Sequence, residues 1–187
     1  MGEDDEAPVF AVGTRSSRPS GVRRVRYARH VIFAIGYYDH PNLLSVPGEE
    51  LPHVQHFYTD PHPYYRQRVV VVGGGNSAAE TALELFRAGT HVTLVHRWAE
   101  LKSTIKYWVK PDIENRIREG SIAGCFNTTV TEIRPASVLV SKGIPGGGGA
   151  HEVELPADAV FLLTGYRADS ELMTAAGITL NERDAPA

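Results

Sequence analysis

The sequence predicts an α/β fold: a Rossmann-like βαβ unit on a central parallel sheet, with a β-meander added. Three observations carry this. Val69 to Val72 is an unbroken β-branched run, the kind buried on both faces of a parallel sheet. Gly73-Gly74-Gly75-Asn76-Ser77-Ala78 follows at once and fits G-x-G-x-x-A. A helical pattern then runs to about Ala88, and Thr90 to Val95 supplies the second strand.

The first elements are short. Val9 to Thr14 predicts a strand, Ser16 to Gly21 a turn, and Val22 to Arg29 a second strand alternating apolar and basic residues. Together they predict a hairpin with one solvated face. His30 to Ile35 predicts a buried strand ending at Gly36. The prolines between Pro41 and Pro63 exclude a long helix and predict a linker over 41–65.

Next comes the βαβ unit. Asn76 is expected to cap its helix, Ala79, Leu83 and Phe86 to share one face, and Gly89 to stop it. Pro111 to Glu119 predicts a short helix with Ile113 and Ile117 inward and Gly120 at its end. Strands are predicted over Ser121–Phe126, Thr129–Arg134, Ser137–Ser141, Glu152–Leu155 and Ala159–Leu163. Gly146 to Gly149 is expected to be a hairpin tip.

Composition narrows the function classes. The chain has 187 residues, with 42% hydrophobic and 22% charged residues, a globular balance. Net charge is −3, so no basic excess points to nucleic acid, although six arginines lie between Arg15 and Arg29. No apolar run approaches the ~20 residues of a membrane span. The acidic start, Met1-Gly2-Glu3-Asp4-Asp5-Glu6, is unlike an export signal, and a cytoplasmic protein is expected. Cys125 is the one cysteine, which excludes a disulfide framework and a Cys-x-x-Cys pair; its apolar context predicts a buried, inert thiol.

The glycine turn has a chemical reading. Gly73 permits the tight turn, Gly75 lets a pyrophosphate approach the backbone, and Ala78 lets the helix pack on the sheet. The helix start offers unpaired N–H groups and a positive dipole end. A turn used only for packing is the alternative. After the second strand the chain reads Val95-His96-Arg97-Trp98, with no carboxylate until Glu100. An acid there would select NAD; Arg97 with Lys102, and Lys106 beyond, favours the 2′-phosphate of NADPH. Arg97 could instead be an ordinary surface arginine. His53, His56, Asp60 and His62 are expected as loop side chains and not as a metal site, and Trp98 and Trp108 as packing residues.

Several separated motifs resemble one family. VVVVGGGNSAAE (69–80) with His96-Arg97 is similar to the NADPH domain of thioredoxin reductase-like flavoproteins. GYYD (36–39), VPGEELP (46–52), DPHPYY (60–65), STIKYW (103–108) and LLTGY (162–166) narrow the resemblance to the YpdA family of bacillithiol disulfide reductases. The resemblance implies a cytoplasmic FAD and NADPH oxidoreductase, homo-oligomeric when intact, in which NADPH reduces the flavin and the flavin a low-molecular-weight disulfide. It implies cofactor contacts at Gly73, Gly74, Gly75, Asn76, Ser77 and Ala78, and at His96, Arg97 and Lys102. It places Gly165 and Tyr166 beside the nicotinamide path, and Gly36 and Tyr37 in a crossover next to the FAD domain. No catalytic residue is assigned within this chain.

Two departures qualify the resemblance. Thioredoxin reductases carry Cys-x-x-Cys just before this glycine motif, where this chain has Val54 to Asp60 without cysteine. The family's FAD glycine motif is also missing. The expected organisation is therefore a fragment: 1–40 the remnant of an FAD domain, 41–65 the linker, 66–165 the NADPH domain, and 166–187 the return toward the FAD domain. Such a fragment is expected to bind NADPH, to hold FAD weakly and to be inactive alone. A ferredoxin- or flavodoxin-NADP reductase of similar build, and a non-catalytic NADPH-binding module, stay open.

Overall fold

The structure, a computed structural model, describes residues 9–17, 21–34, 36, 38–143, 151–167 and 169–180. Ile35, Tyr37, the glycine tip at 146–149 and the tail from 181 lie outside the described residues. The chain divides into two compact units, residues 1–36 and 37–187.

The first unit is a hairpin of β1 (Phe10–Arg15) and β2 (Arg23–Ala28), paired antiparallel from Phe10↔Ala28 to Arg15↔Arg23. The predicted one-sided burial is not found. Val25 is 60% exposed and Tyr27 also points to solvent. Two strands alone offer no second layer to cover either face. The buried strand expected over His30 to Ile35 is also absent among the described residues. Val31, Ile32 and Phe33 are exposed, Ile32 to 88%. An apolar run becomes a strand only when a neighbour takes up its backbone hydrogen bonds, and none does so among the described residues.

The second unit contains β3 (Val54–Gln55), β4 (Arg68–Val72), α1 (Asn76–Arg87), β5 (His91–Val95), α2 (Lys110–Arg118) and β6 (Ala123–Cys125). It continues with β7 (Thr128–Arg134), β8 (Ser137–Lys142), β9 (His151–Pro156), β10 (Ala159–Leu162) and α3 (Ser170–Ala175). Five strands make a parallel sheet in the order β3-β10-β4-β5-β6. β7, β8 and β9 make an antiparallel meander. The predicted α/β class, with its parallel sheet and meander, is thus observed.

Successive residues of β4 serve opposite layers, as the two-residue strand period requires. Val69 and Val71 pack with Ala78, Ala82, Leu85 and Ile113 of α1 and α2. Val70 and Val72 pack with Val130, Val138 and Val140 of the meander. Both faces of the strand are covered, which is why its sequence has no polar alternation. Gly89, at φ 87°, ends α1 with its N–H on the Phe86 carbonyl. Pro111 sits in the first turn of α2, and Gly120, at φ 81°, follows its end. Arg68 and Asp158 tie the starts of β4 and β10, and the guanidinium holds the Asp158 carboxyl down to about 2.

The segment 41–65, expected as a linker, packs within this unit. It supplies β3 to the sheet edge, and Leu44, Val46, Leu51 and Val54 join the meander-side core. The Pro47-Gly48 turn is the anchor. The Ile133 N–H donates to the Pro47 carbonyl at 2.8 Å. A Cβ on Gly48 would overlap the Ile133 carbonyl, and its φ of 83° also favours glycine. No helix among the described residues is long and apolar enough to cross a membrane.

Candidate functional site

β4 delivers the three glycines to the carboxyl edge of the sheet, and each meets a different constraint. A Cβ on Gly73 would sit 2.5 Å from the Leu163 carbonyl and 2.8 Å from Ala78 Cβ. The bare backbone lets the turn close against β10 and lets α1 approach through Ala78, as expected. A Cβ on Gly74 would overlap the His96 ring. That constraint was not visible in the sequence spacing. Gly75 differs from both: its nearest neighbour is Lys102 Cδ, 3.9 Å from a built Cβ. The space above Gly75 is open.

α1 begins with Gly75 in the cap position, not Asn76. The first intrahelical bond runs from Ala79 N–H to the Gly75 carbonyl, so the N–H groups of Asn76, Ser77 and Ala78 have no helical acceptor. Asn76 already has helical backbone geometry, and its amide turns outward to the following loop. Oδ1 accepts from the Lys106 N–H at 2.8 Å, and Nδ2 donates to the Thr104 carbonyl at 3.3 Å.

Beyond β5 the chain stays laced to its neighbour. The His96 N–H donates to the Cys125 carbonyl, the Thr128 N–H to the His96 carbonyl, and the Asn127 N–H to the Trp98 carbonyl. His96 is 5% exposed, its ring edge-on to Phe126, and its Nε2 has no hydrogen-bond partner among the described residues. Burial first, then the Arg97 and Lys102 charges, hold its pKa below the usual imidazole value, so it is neutral near pH 7. Arg97 and Lys102 are exposed, and among the described residues neither is ion-paired. The Lys102 N–H donates to the Gly74 carbonyl at 3.0 Å, fixing that loop over the turn. Lys106 is different: its ammonium pairs with Glu80 at 2.7 Å.

Two clefts flank the glycine turn. The first, of about 460 Å³, has Gly73, Gly74, His96, Arg97 and Lys102 on one side. Asn42 to Leu44, Val46 and Thr128 to Val130 form the other. The second, of about 490 Å³, is bordered by Ser77, Glu80 and Glu84 of α1 with Asp39, Tyr58 and Tyr166. Burial and the Glu84 carboxylate raise the Tyr58 pKa, so its hydroxyl keeps its proton. The first cleft is basic and the second acidic.

The other expected residues fall as follows. Gly165, at φ 101°, accepts the Asn42 N–H at 2.9 Å. The Tyr166 hydroxyl donates to the His56 carbonyl at 2.6 Å, and its ring meets Tyr38 edge-on at 4.8 Å. Gly36 belongs to the hairpin unit, and Tyr37 lies outside the described residues. Cys125 is half-buried, with burial pushing its thiol up. His62 bonds Asp60, and among the described residues no group of three His, Cys, Asp or Glu side chains could hold a metal. Trp98 and Trp108, expected to pack inside, are exposed instead; they contact Arg97 and Lys106 respectively. The wall at Asn42–Val46 and the acidic cleft were missed by sequence reasoning. The i,i+4 pair Glu80 and Glu84 was the available signal for the second.

A concave, electropositive edge with open helix N–H groups and two unpaired cations can hold a polyanion. Comparison with known proteins gives the family. A family model described as pyridine nucleotide-disulphide oxidoreductase matches residues 20–187. Bacilliredoxin reductase Bdr of Bacillus subtilis is 37% identical over 153 residues, 82% of this chain and 46% of that protein. A ferredoxin–NADP reductase of Ignicoccus hospitalis is 31% identical over 159 residues, 82% of this chain and 49% of that protein. The solved structure of bacillithiol disulfide reductase Bdr (YpdA) from Bacillus cereus matches with a TM-score of 0.82 at 35% identity, over 93% of this chain and 51% of the other. The resemblance expected from the separated motifs is borne out. The chain spans about half the length of these relatives.

Proposed function

The chain belongs to the pyridine nucleotide-disulphide oxidoreductase family, and on that premise we propose that it is the NADPH-binding portion of an FAD-dependent disulfide reductase. The observation that carries this reading is the pair of cations, Arg97 and Lys102, that have no ion partner among the described residues, with the open space at Gly75 next to Lys102 and no carboxylate at the end of β5. A 2′-phosphate is the group that such a pair selects. The N–H groups of Asn76, Ser77 and Ala78 suit the pyrophosphate. His96, neutral and with no partner at Nε2 among the described residues, lines the same cleft. Gly165 and Tyr166 border the path of the nicotinamide end, and Gly36 and Tyr37 belong to the crossover beside a flavin domain.

When bound, NADPH supplies the two electrons that FAD of the full-length protein passes to a low-molecular-weight disulfide, of the bacillithiol disulfide kind. The residues of this chain bind and orient the nucleotide. Cys125 is not suited to carry the electrons: a half-buried thiol with a raised pKa is a poor nucleophile. Calorimetry of this chain with NADPH, NADH and FAD tests the reading. NADPH is expected to bind more tightly than NADH, and FAD weakly; tight FAD binding or an NADH preference overturns it.

A second reading is favoured by two observations: the chain has no dithiol, and it is 31% identical to a ferredoxin–NADP reductase. In the full-length protein, NADPH oxidation coupled to ferredoxin and not to a disulfide would select it.

A further inference from the structure

Arg97 differs from several arginines of its unit; Arg66, over the Tyr65 ring, and Arg118, bonded to Asn115, also lack a carboxylate among the described residues, but neither lines the basic cleft. Arg68, Arg87, Arg116 and Arg134 are each held by a carboxylate. Arg97 has no such partner among the described residues, yet it lines the basic cleft. What it does have is an aromatic face. Its guanidinium carbon lies 5.4 Å from the centroid of the Trp98 ring. That ring is 55% exposed, so core packing does not explain it. A tryptophan face attracts a guanidinium without neutralising it, whereas a carboxylate would cancel the charge.

The backbone beneath the pair is fixed. Bonds from His96 to Cys125, from Thr128 to His96 and from Asn127 to Trp98 hold both sides of Arg97 against β6 and the start of β7. The freedom left to Arg97 is that of its own side chain, and the ring limits it. The other cation–aromatic pair of this loop, Lys106 over Trp108 at 5.9 Å, cannot play the same part. Its ammonium already pairs with Glu80.

We infer that Trp98 is a positioning residue: its ring holds the Arg97 guanidinium aimed at the cleft without supplying a counter-charge, so that it meets the 2′-phosphate of the nucleotide. The inference rests on the NADPH reading of this cleft and adds the residue that sets its selectivity. Because the chain has two tryptophans, Trp98 also becomes the reporter of arrival once Trp108 is replaced. The guanidinium shifts toward the phosphate, and the indole that it covers changes its emission.

Two measurements test this on the full chain. In Trp108→Phe, titration with NADP⁺ is expected to change the remaining indole emission, and NAD⁺ at equal occupancy by calorimetry to change it little. In calorimetry, Trp98→Ala is expected to weaken NADPH binding about five-fold while NADH stays within two-fold, and Trp98→Phe to restore most of the difference. Arg97→Ala is measured alongside. If Arg97→Ala removes the NADPH preference but Trp98→Ala leaves it intact, the positioning role is overturned and the site reading stands. If Arg97→Ala leaves the preference intact, the site reading itself fails. Equal loss of both nucleotides in Trp98→Ala, unrescued by phenylalanine, also overturns the inference, because it marks a structural role only.

Discussion

The two clefts beside the glycine turn have similar volumes and opposite charge. One gathers Arg97 and Lys102 at the end of β5; the other gathers Asp39, Glu80 and Glu84 along α1 and the segment before it. Only one of the three lysine and arginine side chains named in the loop after β5 faces the acidic side, and that one, Lys106, is held by Glu80. The turn therefore divides a surface for anions from a surface that repels them. On the proposed NADPH reading, an extended dinucleotide crossing it would have one orientation that respects both, with the phosphorylated adenosine on the basic side and the uncharged reduced ring on the other.

The strongest way to break this comparison is to fill the turn itself. Gly74→Ala puts a methyl group into the His96 ring, and overpacking of this kind costs about 1–3 kcal/mol. Thermal melts are expected to show that loss, and calorimetry the loss of NADPH binding. Gly75→Ala should separate fold from function: its Cβ meets nothing closer than 3.9 Å, so stability falls by no more than about 1 kcal/mol, the cost of a poorer helix cap, while nucleotide binding falls sharply. A Gly75→Ala chain that binds NADPH normally would remove the pyrophosphate from this place. Next in size is Arg97→Ala, expected to cost about 1.5–3 kcal/mol of NADPH affinity with little change for NADH. Equal losses would make Arg97 structural.

Charge removal on the acidic flank sharpens the contrast. Glu80→Gln frees Lys106, which lies away from the basic cleft's lining, so the ratio of NADPH to NADH affinity is expected to stay within about two-fold of the parent. A ratio that rises as far as Arg97→Ala lowers it would mean the two flanks share one site. The smallest effect concerns pH. His96 has a lowered pKa in the fold, so the unfolded chain takes up its proton first. Its contribution is present above about pH 6.5, the ordinary imidazole value, and is lost as pH falls through the lowered one. Melting temperature between pH 7 and 5 is expected to fall less in His96→Asn than in the parent; parallel slopes would show that the fold leaves the His96 pKa where the unfolded chain has it.

What could be read from the residues was what depends on neighbours in sequence. Val69 to Val72, the glycine turn and the α1 pattern are local, and each appeared where expected. Readings failed where a distant partner decides. Val31 to Phe33 has the composition of a strand and no neighbour among the described residues to pair with. Asn76 has the chemistry of a cap, but Gly75 takes the position and the amide reaches Thr104 and Lys106. Gly74 stands at an unrestricted position of G-x-G-x-x-A, and the side chain that demands a glycine there, His96, lies twenty-two residues on. Arg97 and Lys102 were readable as cations; that Glu80 engages Lys106 and leaves them free was not.

The Pro47-Gly48 turn has an energetic consequence for the basic cleft. Pinned to Ile133 at a point where only a glycine fits, it carries Leu44 and Val46 on the same rigid frame as the sheet. The wall opposite the glycines is thus pre-organised, and an incoming ligand need not spend its affinity on ordering a loose strap. Association should proceed with a modest entropic penalty and without a slow closing phase.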